Sequence, residues 1–133
     1  MAKASDIILC LQAQNIEGAG VSANNILTAL NPEYIPGLFS FSIIVIIVDL
    51  NRMEGHTCSV ELLDPSNESV IRMNGNIPIL EDKSNLPDEY KGLNLSMELN
   101  NVNFKRSGLY TFKVSIDEEE IGRKEFYVKG KNE

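Results

Sequence analysis

The chain has 133 residues, 43% of them hydrophobic and 23% charged, which is material for one globular domain and excludes a disordered tail. Twelve Lys and Arg against nineteen Asp and Glu leave a formal net charge of −7. A surface that acidic repels phosphate backbones and anionic bilayers, so nucleic acid and membrane are not expected as partners.

The N-terminus reads Met1-Ala2-Lys3-Ala4-Ser5-Asp6, and its apolar run, Ile7 to Leu11, is too short for a secretory signal. The longest apolar region, Leu38 to Leu50, has 13 residues and contains Ser40, Ser42 and Asp49. A membrane-spanning helix needs about 20. The expected location is cytoplasmic. There Cys10 and Cys58 are expected as free thiols buried as small hydrophobes, with a disulfide between them as the alternative.

In chain order, Asp6 to Gln14 alternates weakly and is expected as the first strand. Val21 to Leu30 fits either a strand or a short helix capped by Ser22. A strand is the preferred reading, because short helices are marginal in water without tertiary support. Gly37 to Leu50 is a long central strand: Ile43 to Val48 is unbroken and β-branched, a pattern that requires cover on both faces. Cys58 to Leu63 and Ser69 to Met73 form a hairpin across Asp64-Pro65-Ser66-Asn67, with Asn74-Gly75-Asn76 closing the second strand. Asn76 to Lys91, with Pro78 and Pro87, reads as a crossover loop with one helical turn after Pro87. Leu93 to Leu99 alternates cleanly. So does Leu109 to Ile116, where Tyr110, Phe112, Val114 and Ile116 share a face. The acidic run Asp117 to Glu120 then leads into a last strand, Ile121 to Val128.

Seven or eight short strands separated by turn signals predict an all-β fold, an antiparallel β-sandwich, with a closed barrel as the alternative. The stretch Ser107-Gly108-Leu109-Tyr110-Thr111-Phe112, its acidic turn and Phe126-Tyr127-Val128 resemble the closing hairpin of immunoglobulin-like sandwiches. The whole chain also resembles a group of small bacterial β-sandwich proteins, and that resemblance implies the fold but no activity or site. The cysteine–tryptophan–cysteine core of antibody domains is missing, since the chain has no Trp.

Chemistry is sparse. His56 is the one histidine, and it shares a strand face with Cys58 if the strand reaches back to it. Its expected place is an exposed turn beside Gly55, with Cys58 in the core. No Gly-x-Ser-x-Gly elbow is present, so no catalytic residue is assigned and the chain is not expected to be an enzyme. Three His and Cys residues in total are too few for a structural zinc site, and the acidic clusters lack calcium-loop spacing. No metal or cofactor is therefore expected. Gly18 and Gly20 form a Gly-x-Gly without the continuation a phosphate cradle needs. With Lys105 and Arg106 they are the candidate residues for a small-molecule reading, a nucleotide or other anion. The stiff loop Pro32-Glu33-Tyr34-Ile35-Pro36-Gly37-Leu38 is the candidate partner surface, with Tyr34, Ile35 and Leu38 as anchors. The expected function is a non-enzymatic protein-interaction module that binds a protein partner or forms a homodimer.

Overall fold

The computed structural model describes residues 2–16, 20–51, 53–79 and 84–133. Eight strands are seen: β1 (Lys3–Ile16), β2 (Gly20–Leu27), β3 (Gly37–Val48), β4 (His56–Leu63), β5 (Ser69–Ile77), β6 (Gly92–Phe104), β7 (Gly108–Ile116) and β8 (Glu119–Val128). They form two four-stranded sheets, ordered β2-β1-β3-β6 and β5-β4-β7-β8, and every ladder is antiparallel. This is a sandwich rather than a closed barrel. β1-β3-β6 facing β5-β4-β7-β8 reproduces the strand order of immunoglobulin-like domains, with β2 as an addition.

The core lies where the alternating faces meet. Phe41, Ile43, Val45 and Ile47 of β3 pack toward Val60 and Leu62 of β4 and Tyr110, Phe112 and Val114 of β7. Aromatic rings fill one half of it, with Phe104 edge-on to Tyr110 at 5.2 Å and Phe112 stacked on Phe126 at 5.3 Å. The Tyr110 hydroxyl donates to the Arg106 carbonyl at 2.6 Å. A buried tyrosine bonding back four residues is the tyrosine corner of such sandwiches.

The unbroken β3 run has the cover it requires. Ser42 and Ile44 point away from the core, yet both are buried, as is their neighbour Cys10 on β1. The β1–β2 hairpin supplies part of that cover. Its ladder skips Leu11 and Asn25, where Asn25 turns left-handed at φ 58°. Beyond the skip, Gly20 comes beside Asn94 on β6, three strands away in the sheet.

Residues 20–27 form a strand, as preferred over the helix. Cys10 and Cys58 are both free and buried. The 3₁₀ turn Asp88–Tyr90 follows Pro87. Several boundaries differ from expectation, three of them at residues with turn or charge character. Asn74, Gly75 and Asn76 do not close β5; they continue it, paired with Ser59, Cys58 and Thr57. β6 runs on to Phe104 through a bulge at which Asn101 (φ 54°) donates its amide to Ser40 Oγ. The acidic turn is shorter, because Glu119 and Glu120 already belong to β8. In each case ladder pairing outweighs the local turn preference of Asn, Gly or charged residues.

Candidate functional site

The sandwich has two ends with different chemistry. One end gathers the β3–β4 loop, the two-residue β7–β8 turn and the 3₁₀ turn around an open cavity of about 550 Å³. Ala2, Asp49, Asn51, Met53, His56 and Asp88 are among its lining residues, with Asp117 and Glu119.

His56 is not the exposed turn histidine the sequence suggests. As the first residue of β4 its side chain points inward, and only 8% of the residue is exposed. Both ring nitrogens are bonded. Nδ1 lies 2.6 Å from Asp117 Oδ2 and Nε2 lies 2.5 Å from the Asn51 carbonyl oxygen. A carboxylate and a carbonyl only accept, so these two contacts favour the ring protonated on both nitrogens, the imidazolium. The Asp117 bond raises the His56 pKa above its ordinary value, the Asn51 carbonyl adds to this, and desolvation opposes it. Asp117 is in turn held below the usual carboxylate range, first by His56 and then by the Thr57 amide, which donates to Oδ1 at 3.0 Å. The Asp117 amide returns a bond to the Thr57 carbonyl at 2.9 Å. His56 thus ties the β3–β4 loop to the β7–β8 turn. Neither ring nitrogen is left to accept a substrate proton, and burial raises the thiol pKa of nearby Cys58. This arrangement is a structural staple rather than a base–nucleophile pair. Sequence reasoning missed it because its partners stand 61 residues apart. The signal that would find it is the β4–β7 register, which brings the start of β4 to the end of β7.

The opposite end carries the predicted partner loop. Tyr34 and Leu38 are 64% and 62% exposed, whereas Ile35 is half-buried, packed against the core and beside Gly130. Ile35 therefore anchors the loop instead of presenting itself to a partner. The C-terminal segment clamps the same stretch. Leu30 N–H donates to the Tyr127 carbonyl and Lys129 N–H to the Leu30 carbonyl, at 3.0 and 3.1 Å. Lys131 N–H donates to the Pro32 carbonyl at 2.8 Å, and Asn132 Nδ2 to the Glu33 carbonyl at 2.8 Å.

Lys105 and Arg106 sit at this end too, by a hollow that they share with Asp64 and Glu68. Arg106 bonds to Asp64 at 3.2 Å and also donates to Ser66 Oγ. Asp64 is drawn down in pKa by the Glu68 amide, with smaller help from Ser66 and Arg106. The hollow is thus mixed in sign. Gly20, beside Asn94, lies toward the other end of β6, so the structure does not bring it to Lys105 and Arg106. Gly18 lies outside the described residues. Among the described residues no group of three or more His, Cys, Asp or Glu could hold a metal ion, and no helix is long and apolar enough to cross a membrane.

The fold recurs in a solved structure. An immunoglobulin-like protein from Pseudomonas aeruginosa (PA1606) matches with a TM-score of 0.51 over 97% of both chains, at 9% identity. At that identity the likeness is one of fold. No curated protein matches the chain. A family model matches residues 5–129, nearly all of both sheets, and on that match the chain belongs to the family of unknown function DUF6941.

Proposed function

We propose that the chain is a non-enzymatic protein-interaction module of the bacterial cytoplasm, with Tyr34 and Leu38 as its anchors. The observation that carries this reading is that the clamped loop and the start of β3 beside it hold two large apolar side chains, Tyr34 and Leu38, out in solvent. Such exposure lowers solubility without helping the fold, whereas an anchor fixed before binding loses little entropy on association. Full burial of one such side chain in a partner contributes about 2 kcal/mol. The two buried free thiols suit a reducing compartment. The small-anion reading is weaker, because Arg106 already bonds to Asp64 and Gly20 lies elsewhere.

The test is native mass spectrometry of tagged protein purified gently from its own host. Wild type is expected to carry a stoichiometric second protein, and Tyr34→Ser/Leu38→Ser to lose it with no loss of melting temperature. Ile35→Ser is expected to lower stability by about 1–2 kcal/mol, as for a partly buried apolar residue made polar. A double variant that keeps the partner, or that unfolds, overturns the reading.

A further inference from the structure

β5 is the outermost strand of its sheet and pairs with β4 alone among the described residues. Its free side presents a row of backbone donors and acceptors. Natural sheets blunt such an edge with Pro, Lys, an inward charge, a bulge or a covering segment; among the described residues β5 has no Pro, Lys, inward charge or cover, and its one register shift, opposite Leu62/Leu63, lies at its start. The other edges differ. β8 places Lys124 opposite Phe112 on the core-facing side, and its end pairs with Leu30. β6 carries Glu98 and a bulge. β2 is uncharged, but Asn25 interrupts it with a left-handed turn.

Charge separates the edges as well. Copies with a net charge of −7 repel one another, yet β5 holds no acidic residue and one cation, Arg72. Two acidic copies can meet on it without opposing carboxylates; β2 shares that property but is interrupted at Asn25. Beside it lies an apolar hollow of about 210 Å³, lined by Met73, Gly75, Ile77, Leu95 and Met97. A side chain added at Gly75 would meet nothing within 4 Å, so there is open space at that point of the edge.

We infer that β5 pairs with β5 of a second copy, antiparallel about a two-fold axis at Met73, joining two sheets into one. A two-fold axis through a strand edge makes the identical strands antiparallel and the contact self-complementary. Centring on Met73 overlaps all nine residues of Ser69–Ile77. Ile71 then lies opposite Gly75 of the other copy, both on the core-facing side, next to the hollow. Arg72 lies opposite Asn74. Centring on Arg72 instead would set two guanidiniums against each other, which is unfavourable.

The experiment is sedimentation equilibrium of the full chain over micromolar to millimolar concentrations. Wild type is expected to reach twice the 14.8 kDa chain mass, and Gly75→Lys to remain a folded monomer. A monomeric wild type, or a folded Gly75→Lys that still dimerises, overturns the inference. Met73→Cys provides a second arm that does not depend on the lysine variant folding. Directly opposed residues in an antiparallel pair have Cα atoms about 4.5–5.5 Å apart, within reach of a disulfide. Mild oxidation is expected to give a cross-linked dimer from Met73→Cys and none from wild type. A Met73→Cys protein that stays uncross-linked overturns the pairing. Tyr34→Ser/Leu38→Ser is expected to dimerise like wild type, so the loop reading and the edge reading fail separately.

Discussion

His56 shows how far a single side chain can depart from its neighbourhood in sequence. Gly55 and Glu54 mark a turn, and a histidine beside them reads as exposed. What the sequence hides is that the next strand begins at the histidine itself, so its ring faces inward. Burial then requires bonds, and the left-handed Asp117 (φ 51°) and the Asn51 carbonyl supply them. The pH dependence follows from the two shifts. His56 has a raised folded pKa, so its stabilisation is complete below its ordinary value of 6.5 and is lost as pH climbs through the raised value. Asp117 has a lowered pKa, so its share is complete above 3.8 and is lost as pH falls through the depressed value. The staple is strongest between those limits. Thermal melts are expected to show stability falling above pH 6.5, a step that His56→Ala lacks. At pH 6 the same variant is expected to lose about 2 kcal/mol, the worth of hydrogen bonds to a charged ring. Urea midpoints would measure it, and a variant as stable as wild type would remove the staple from the account.

At the scale of elements, the β7–β8 turn and the corner before β7 are set by opposite means. Asp117 and Glu118 both lie at positive φ, 51° and 69°, the geometry of a tight hairpin turn that favours glycine. Asp117 is held there by its side-chain bonds, but no bond to the Glu118 side chain is seen among the described residues. Glu118→Gly is therefore expected to raise stability by about 0.5–1 kcal/mol in chemical denaturation, left-handed strain relieved outweighing the entropy of glycine. The corner works through one hydroxyl. Tyr110→Phe keeps the ring and removes the bond to Arg106, at an expected cost of about 1–1.5 kcal/mol. Elements were legible where a period of two persists against a buried face. Tyr110 to Ile116 and Leu93 to Leu99 are such runs, and both are strands. The unbroken Ile43 to Val48 announced that both faces are covered, but not that the β1–β2 hairpin shares in covering it, since that depends on a left-handed Asn25. Ends were less legible. Asn74-Gly75-Asn76 carries every local mark of a turn, and only the register with β4 makes it strand. The candidate loop was visible through its prolines, while the inward turn of Ile35 depends on Gly130, 95 residues on.

The whole molecule adds what neither residue nor element contains: a net charge of −7 carried by every copy. Opposite ends and an open edge then respond differently to ionic strength. Two copies joined at β5 bring two acidic bodies together through a strand that holds no carboxylate. The attraction at such an edge is backbone pairing and apolar contact, neither of which salt weakens, while the long-range repulsion is screened over about 10 Å at 0.1 M. Self-association is therefore expected to strengthen as salt rises from low to moderate concentration. The Tyr34 end is mixed in sign, with Lys105, Arg106, Lys129 and Lys131 beside Asp64, Glu33 and Glu133. Capture of a partner there is expected to change little over the same range, because Tyr34 and Leu38 are apolar and the flanking charges offset one another. Sedimentation and partner retention across a salt series, each on wild type, Gly75→Lys and Tyr34→Ser/Leu38→Ser, separate the two surfaces. A dimer that weakens with salt would place an ion pair in the interface, which β5 paired about Met73 does not provide. Partner loss that tracks dimer loss would make the two surfaces one, against the separation of edge and end that the sheet order imposes.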